Sequence, residues 1–286
     1  MSFDLLDRFS TVASCYDVVL CDIWGVVHDG IAAHAHACDA LMRYRADGGT
    51  VVLITNAPRP SPWVVHQLGR LGVPPDAYDD VMTSGDLTRE VVAGRRGGAV
   101  FHIGPQRDVS IFDGLDVRPT PVESADYVVC SGLFDDTKET PDDYRNLMAT
   151  ICARRLFMVC ANPDLVVERG EERVYCAGAI ADLYASMGGE VLYAGKPHRP
   201  IYDAALAKAA GVRGAVALPG RTLAIGDSLR TDMTGAQALG IDGLFVSGGI
   251  HAQELGRDKS LPHEALGAMF VAAGVTPRSV MPRLAW

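Results

Sequence analysis

The chain has 286 residues, of which 48% are hydrophobic and 21% are charged, a globular composition that excludes an intrinsically disordered chain. Its formal net charge of −9 disfavours nonspecific binding to nucleic acid or to an anionic membrane, because both require a basic surface. A local basic pocket for a small phosphate stays compatible with this charge.

Neither a signal peptide nor a membrane span is indicated. Residues 1–17 carry charges and no long apolar run, and no segment approaches the roughly 20 apolar residues that span a bilayer. The seven cysteines form no CxxC pair, and several lie in apolar runs such as VVLCD and FMVCAN, which is typical of reduced thiols in a core. We therefore expect a cytoplasmic protein.

Short β-branched runs alternate with helix-length amphipathic stretches, a pattern typical of a parallel sheet covered by helices. The first predicted elements are a strand at Tyr16–Cys21, a helix at His36–Asp47 and a strand at Thr50–Thr55. Ser61 is a suitable N-cap for a further helix that ends near Leu71.

The middle of the chain, from 85 to 193, has an alternation of its own. Ala99–Ile103, Tyr127–Ser131 and Leu156–Ala161 are predicted strands, and a predicted helix begins at Thr140. The residues with recognisable chemistry lie on both sides of this block. We therefore predict an inserted second domain, with a single continuous sheet as the alternative.

After this block the alternation resumes. The predicted elements are a helix at Pro200–Ala210, a strand at Thr222–Ile225, a helix at Asp232–Leu239 and a strand at Gly243–Val246. The predicted fold is α/β, with a Rossmann-like parallel-sheet core in three α/β/α layers and an inserted, smaller α/β domain. The predicted core comprises residues 1–84 and 194–286, and the predicted insertion comprises residues 85–193.

Four polar side chains share one context, because each lies at or just after the carboxyl end of a predicted strand. They are Asp22 after VVLC, Thr55 after VVLI, Lys196 after VLYAG and Asp227 after TLAIG. Ligands of open α/β sheets bind outside these strand ends, so we expect the four side chains to converge. A carboxylate can attack phosphorus, a second can help to hold Mg²⁺, and a hydroxyl and an ammonium can bind phosphoryl oxygens. Each residue alone is weak support, because an Asp after a strand is more often a turn or cap residue.

The sequences of the segments around these four side chains, and their order along the chain, are more specific than the single residues. CDIWGV, LITNAPR, GKP and GDSLRTD, in this order, resemble the four motifs of the haloacid dehalogenase-like (HAD) hydrolase superfamily. The long insertion between the second and third motifs resembles its class IIA branch, the nitrophenylphosphatase-like and sugar- or nucleotide-phosphate phosphatases. ANPD (161–164) and GAIADL (178–183) resemble the cap domain of that branch, so the resemblance covers nearly the whole chain.

The resemblance implies Mg²⁺ as the cofactor and assigns its ligands. Asp22 would be both the catalytic nucleophile and a metal ligand. The backbone carbonyl of Trp24 and the carboxylate of Asp227 would complete the protein's contribution. Asp232 would orient the metal's surroundings or pair with Lys196.

The resemblance also implies how the substrate is bound. Thr55 and Lys196 would take part in catalysis and, with the amide of Asn56, would bind the phosphoryl group. The inserted domain would be a cap that reads the leaving group. Three polar cap residues are candidate substrate contacts, with turn and helix-cap roles as the alternative: Asn162, Asp164 and Asp182.

The chain departs from the family pattern at Trp24, where the family has a second Asp that protonates the leaving group and then activates water. An indole N–H donates a hydrogen bond but cannot transfer a proton near neutral pH. Losing a general acid/base costs about 10²–10⁴-fold in rate. Three interpretations stay open: His28 supplies the proton, the substrates are acyl or aryl phosphates with good leaving groups, or the protein binds a phosphorylated ligand with little or no turnover.

We therefore predict a Mg²⁺-dependent phosphatase that hydrolyses small phosphomonoesters through an aspartyl phosphate, with weak or specialised activity. A noncatalytic phosphometabolite-binding protein is the first alternative. An aromatic residue at position 24 also resembles metal-free dehalogenases of the wider superfamily, although these have no evident use for the two carboxylates of GDSLRTD. The expected partner is a small phosphorylated metabolite and neither nucleic acid nor a membrane. A homodimer is compatible with the resemblance.

Overall fold

The structure is a computed structural model that describes residues 3–169, 172–250 and 263–286. The chain forms two compact units. The first unit comprises Met1–Thr55, Val65–Met82 and Tyr202–Trp286, and the second comprises Asn56–Val64 and Thr83–Ile201.

Strands and helices alternate through both units. The strands in chain order are β1 (Asp4–Leu5), β2 (Val18–Asp22), β3 (Thr50–Thr55), β4 (Asp80–Thr83), β5 (Gly98–Ile103), β6 (Val117–Pro119), β7 (Tyr127–Cys130), β8 (Phe157–Cys160), β9 (Val166–Arg169), β10 (Glu172–Tyr175), β11 (Val191–Tyr193), β12 (Thr222–Gly226), β13 (Asp242–Val246) and β14 (Ser279–Met281). The α-helices are α1 (Ala35–Ala46), α2 (Ser61–Leu71), α3 (Ser84–Ala93), α4 (Arg145–Ala153), α5 (Ala177–Ser186), α6 (Arg199–Arg213), α7 (Thr234–Leu239) and α8 (His263–Ala273).

The first unit is built on a seven-stranded sheet in the order β1-β14-β13-β12-β2-β3-β4. β2 lies inside the sheet and pairs in parallel with β3 on one side and β12 on the other. Every residue of these three strands is buried, as expected for parallel strands that are covered on both faces. In the register, Asp22 lies opposite Ile54 and Cys21 lies opposite Ile225, so the three strands end at the same edge of the sheet.

The second unit contains a five-stranded parallel sheet in the order β11-β8-β7-β5-β6 and a separate antiparallel pair, β9 and β10. Its core packs α4 and α5 against the sheet through buried side chains that include Met148, Ile151, Ile180 and Tyr184. Tyr184 is almost fully buried, and its hydroxyl donates a hydrogen bond to the backbone carbonyl of Leu156, which satisfies its polar end. The predicted α/β class is confirmed.

Two predicted helices begin differently in the structure. The segment from Pro141 to Tyr144 is a 3₁₀ turn, and the α-helix begins only at Arg145. The segment Leu229–Met233 is a π-helical turn, and the regular helix α7 starts at Thr234. In the second case the side chain of Ser228 caps the turn by accepting from the Thr231 N–H. Hydrophobic periodicity alone does not distinguish a 3₁₀ or π turn from the first turn of an α-helix.

Within the ranges that the structure describes, no helix has both the length and the apolar character that crossing a bilayer requires.

Candidate active site

The predicted nucleophile lies where its sequence context indicates. Asp22 is the last residue of β2 and is 7% exposed. Its Oδ1 accepts a hydrogen bond from the N–H of Ile23 at 2.7 Å, which fixes the plane of the carboxylate. A carboxylate with this restricted geometry is preorganised as a nucleophile or a ligand.

Three carboxylates meet at this edge of the first unit. Oxygen atoms of Asp22, Asp227 and Asp232 all lie within 4.8 Å of one another, and all three residues are buried. Asp22 is the last residue of β2, and Asp227 comes directly after β12. The parallel pairing of these two strands therefore brings the two carboxylates together. Buried like charges at this spacing repel one another unless a cation neutralises them.

Asp232 is held by the turn that follows β12. Its Oδ2 accepts from the Ser228 N–H at 3.1 Å, and its own N–H donates to the Ser228 carbonyl at 3.0 Å. Gly226 leaves room for this side chain, because a Cβ at that position would lie 2.1 Å from Cγ of Asp232. The π-helical turn therefore returns the second carboxylate of GDSLRTD to the end of its own strand.

Asp227 lies in a cradle formed by two glycines. A Cβ on Gly25 would lie 1.9 Å from Oδ2 of Asp227, and a Cβ on Gly249 would lie 2.0 Å from the same atom. Gly25 also has φ = +79°, a conformation that other L-residues rarely adopt. The N–H of Ile250 donates to this Oδ2 at 2.8 Å. The cradle thus brings Gly25, the residue after Trp24, against the Asp227 carboxylate.

This donor set suits a hard divalent cation. It consists of carboxylate oxygens with backbone close by, and it contains neither thiolate nor imidazole. Mg²⁺ prefers oxygen ligands and is usually held by one or two carboxylates while it keeps several waters. The residues present therefore fit Mg²⁺.

The phosphate-binding candidates fall in both units. Thr55 ends β3 and is 8% exposed; since Asp22 pairs with Ile54, Thr55 lies one residue beyond the point opposite Asp22. Asn56 and Lys196 belong to the second unit and contact each other directly. Both are buried.

The Asn56 carboxamide is occupied by backbone groups of Lys196. Its Oδ1 accepts from the Lys196 N–H at 2.7 Å, and its Nδ2 donates to the Lys196 carbonyl at 3.0 Å. Gly195 allows this approach, because a Cβ there would lie 2.5 Å from Oδ1 of Asn56. The side chain of Asn56 thus holds the backbone of Lys196 in place. The backbone N–H of Asn56 is then the group of this residue that is available to contact a phosphate.

The three cap candidates have different surroundings. Asp164 accepts from Nδ2 of Asn56 at 2.9 Å, and its own N–H donates to the side chain of Asn162 at 3.1 Å. Asp182 accepts from the hydroxyl of Tyr193 at 2.7 Å. Asn162 and Asp164 are therefore brought together with the Asn56–Lys196 pair in the second unit, whereas Asp182 is engaged with β11.

Trp24 lies on the loop that leaves β2. Its indole is 40% exposed and packs over Gly30, where a Cβ would lie 2.4 Å from the ring. The His28 ring packs against it edge-on, with 5.2 Å between ring centroids. Nδ1 of His28 accepts from the Gly30 N–H at 3.0 Å, and burial, with the nearby His34 as a smaller cause, lowers the pKa of His28. His28 is thus tied to its own loop, which disfavours the interpretation that it protonates a leaving group.

Sequence reasoning missed three parts of this site. They are the contacts of Gly249 and Ile250 with Asp227, the hydrogen bond from Asn56 to Asp164, and the packing of the Trp24 indole over Gly30. Only the first had a usable signal, because two glycines, Gly248 and Gly249, come one residue after the end of β13 and indicate close backbone approach. The other two depend on contacts that no local pattern encodes.

Comparison with known proteins gives a consistent result. A family described as haloacid dehalogenase-like hydrolase matches residues 19–118, and a HAD-hydrolase-like family matches residues 193–276. A solved hydrolase of the haloacid dehalogenase-like family from Brucella suis 1330 is 45% identical, with 98% of this chain and 100% of that chain covered and a TM-score of 0.86.

More distant relatives have named activities. A D-glycerol 3-phosphate phosphatase from Mycobacterium tuberculosis is 27% identical over 246 residues, or 85% of this chain. The chain spans 66% of that relative's length, just under two thirds. A glycerol phosphate phosphatase from the same species, solved in complex with magnesium, is 27% identical, with 84% of this chain and 70% of that chain covered and a TM-score of 0.64. With the close and nearly complete match to the Brucella suis protein, these findings confirm the resemblance of the motifs: the chain belongs to the haloacid dehalogenase-like hydrolase family.

Proposed function

We propose that this protein is a Mg²⁺-dependent phosphatase that hydrolyses small phosphomonoesters through an aspartyl phosphate on Asp22. The observation that carries the proposal is the meeting of Asp22, Asp227 and Asp232 within 4.8 Å. The activities named for the mycobacterial relatives support a small phosphate ester as the substrate.

Asp22 and Asp227 would hold the metal, with the backbone carbonyl of Trp24 as the third protein ligand and Asp232 beside them. The magnesium complex of the mycobacterial relative supports this choice of ion. When bound, Mg²⁺ offsets negative charge on the phosphoryl oxygens and allows a carboxylate to approach them. Without it, a phosphate dianion would meet three buried carboxylates and be repelled.

In the first step, a carboxylate oxygen of Asp22 attacks phosphorus in line, and the bond from phosphorus to the ester oxygen breaks. The leaving group departs with the bonding electron pair. In the second step, water attacks the same phosphorus, the acyl phosphate bond breaks, and Asp22 is regenerated with inorganic phosphate as the product. The hydrogen bond from Ile23 holds Asp22 in place through both steps.

Thr55, the backbone N–H of Asn56 and the ammonium of Lys196 would bind the phosphoryl oxygens. Two observations support this assignment. Asn56 follows Thr55 directly in the chain, and its side chain holds the backbone of Lys196. A preorganised hydroxyl, amide and ammonium stabilise charge that spreads over the phosphoryl group in the transition state.

The activity would be weak or specialised, because Trp24 occupies the position of the acid/base Asp. In this proposal, the reaction takes place in a core of residues 1–84 and 194–286, and a cap of residues 85–193 recognises the leaving group. A cytoplasmic location is part of the proposal because five of the seven cysteines are buried, as is typical of reduced thiols in a core. A homodimer is part of the proposal only through the resemblance of the cap.

Trp24 also favours a second candidate, a protein that binds a phosphorylated metabolite without turnover. A metal-free dehalogenase is not supported, because a reaction without a metal ion gives the three clustered carboxylates no evident role. The test is a screen of phosphorylated metabolites with Mg²⁺ and with a chelator, with Asp22→Asn as the control. Phosphate release that depends on Mg²⁺ and on Asp22 supports the phosphatase. A ligand-induced rise in melting temperature without phosphate release supports the binding protein.

A further inference from the structure

The indole of Trp24 is held in one place by two contacts within its own loop. Gly30 has φ = +87°, and its missing Cβ leaves the space that the ring occupies. The buried ring of His28 packs edge-on against the indole at 80°, a favourable aromatic geometry. Even so, 40% of Trp24 stays exposed, so the loop fixes the ring without covering it.

The covalent chain keeps the backbone of Trp24 near the residues proposed for the reaction. Trp24 is two residues from Asp22, which limits the distance between their Cα atoms to about 7.6 Å. On its other side, Gly25 contacts the Asp227 carboxylate. The partly exposed Trp24 therefore belongs to the loop that adjoins both the proposed nucleophile and Asp227.

We infer that Trp24 is a specificity-determining residue: its exposed face stacks on a planar leaving group, so that the protein selects aryl phosphates over alkyl phosphates. This inference rests on the proposed function and names its substrate class. The indole offers flat apolar surface and an N–H donor, but no transferable proton.

The chemistry of the leaving group agrees with this surface. A phenol has a pKa of about 10, whereas an oxygen acid such as water has a pKa of about 15.7. A phenolate therefore leaves with its electron pair without needing a proton from the enzyme, and it takes the proton from solvent afterwards. Trp24 stands where a general acid is expected, and it offers a flat surface to a leaving group that needs no general acid.

The first experiment compares kcat/KM for phenyl phosphate and glycerol 3-phosphate. We expect the wild-type protein to prefer phenyl phosphate. Trp24→Ala should reduce kcat/KM for phenyl phosphate about 10-fold more than kcat/KM for glycerol 3-phosphate, mainly through KM, as expected for the loss of one aromatic stacking contact. Trp24→Phe should keep most of the preference.

A matched glycine pair tests the pose of the ring without altering it chemically. Gly30→Ala places a Cβ 2.4 Å from the indole and should reduce the aryl preference. Gly48→Ala has the same kind of backbone strain, with φ = +92°, but nothing lies within 4 Å of its added Cβ. It should leave the preference unchanged.

Fluorescence gives a readout that does not require turnover. The chain has three tryptophans, so Trp63→Phe with Trp286→Phe leaves Trp24 as the sole emitter. In an Asp22→Asn background with Mg²⁺, phenyl phosphate should change the Trp24 emission, and glycerol 3-phosphate and inorganic phosphate should not.

The outcomes separate this inference from the proposed function. Absence of wild-type turnover with either ester would overturn the phosphatase, while a phenyl-specific change in emission would still support stacking on Trp24. The role of Trp24 would be overturned by any of three results. They are equal losses of kcat/KM with both esters in Trp24→Ala, a wild-type preference for glycerol 3-phosphate, and Trp24 emission that does not change when phenyl phosphate is added.

Discussion

The side chain of Asn56 and the backbone of Lys196 form a closed pair of hydrogen bonds, one from the Lys196 N–H to Oδ1 of Asn56 at 2.7 Å and one from Nδ2 of Asn56 to the Lys196 carbonyl at 3.0 Å. This arrangement reproduces the pairing of adjacent strands where Lys196 has left the sheet. Because Lys196 is only 2% exposed, water cannot easily replace these bonds. The position of the lysine ammonium thus depends on a residue 140 positions earlier.

Replacing Asn56 by Ala should therefore reduce both stability and activity. Two buried backbone groups would lose their partners, at a cost of about 2 kcal/mol or more in the free energy of unfolding. Urea denaturation measures this loss, and kcat with the best substrate should fall as well. The matched control is Asn146→Ala on the exposed face of α4. Equal stability of the two variants would show that the pair contributes nothing.

The carboxylate cluster predicts a specific response to Asp227→Asn. Removing one negative charge from the site should raise the Mg²⁺ concentration required for half-maximal activity by about 10- to 100-fold. A Mg²⁺ titration of phosphate release measures this shift. Asp39→Asn removes the same charge from an exposed ion pair with Arg43 and should leave the titration unchanged. Identical titrations for both variants would contradict the assignment of Asp227 as a ligand.

The glycine cradle predicts that Gly25→Ala damages the metal site more than the fold. The new Cβ would lie 1.9 Å from Oδ2 of Asp227, so the carboxylate must move, and φ = +79° adds strain of about 1 kcal/mol. We expect weaker Mg²⁺ binding by isothermal titration calorimetry. Gly72→Ala, with φ = +86° and nothing within 4 Å of its Cβ, has the same strain and should bind Mg²⁺ normally. Loss of binding in both variants would indicate general unfolding.

Restoring an acid at position 24 tests the proposed cause of weak or specialised activity. Trp24→Asp should raise the hydrolysis of alkyl phosphates by about 10-fold or more, because alkoxides need a proton to leave. Aryl phosphates should gain less, since phenolates leave unprotonated. The measurement is kcat for one ester of each class. Equal gains, or none with either ester, would count against a missing general acid.

His102 predicts a pH dependence of stability. Burial lowers its pKa to about 4 from the ordinary 6.5, and its Nε2 is 2.8 Å from the hydroxyl of Ser131. Because the unfolded chain binds the proton more readily, stability is complete above about pH 6.5 and falls as the pH drops towards 4, by about 3 kcal/mol in total. Urea midpoints at pH 7 and pH 4.5 measure the loss.

His102→Gln should lose about 2 kcal/mol less than the wild-type protein between these two pH values, because it has no proton to gain. His66→Gln changes an exposed histidine of α2 and serves as the control. If the wild-type protein and His102→Gln lose the same stability on acidification, the buried imidazole is not the cause.

By itself, the sequence determined the α/β alternation and the strand-end positions of the residues proposed for chemistry. The reason is local: buried parallel strands are continuous apolar runs, and the first polar residue after such a run marks the strand end. Asp22 and Asp227 could be expected to meet because parallel neighbours end at one edge of a sheet. The family motifs gave these positions roles that periodicity could not give.

Only the tertiary structure decided what surrounds these positions. Asp164 contacts Asn56 across 108 residues, and Gly249 contacts Asp227 across a loop, so both relationships depend on how distant segments pack. The same is true of Trp24, whose sequence position predicts that an acid is missing but does not predict where the ring lies. Its pose is set by excluded volume at Gly30 and by the packing of His28. Such contacts arise from shape complementarity in three dimensions, and a one-dimensional pattern of residue types does not contain that information.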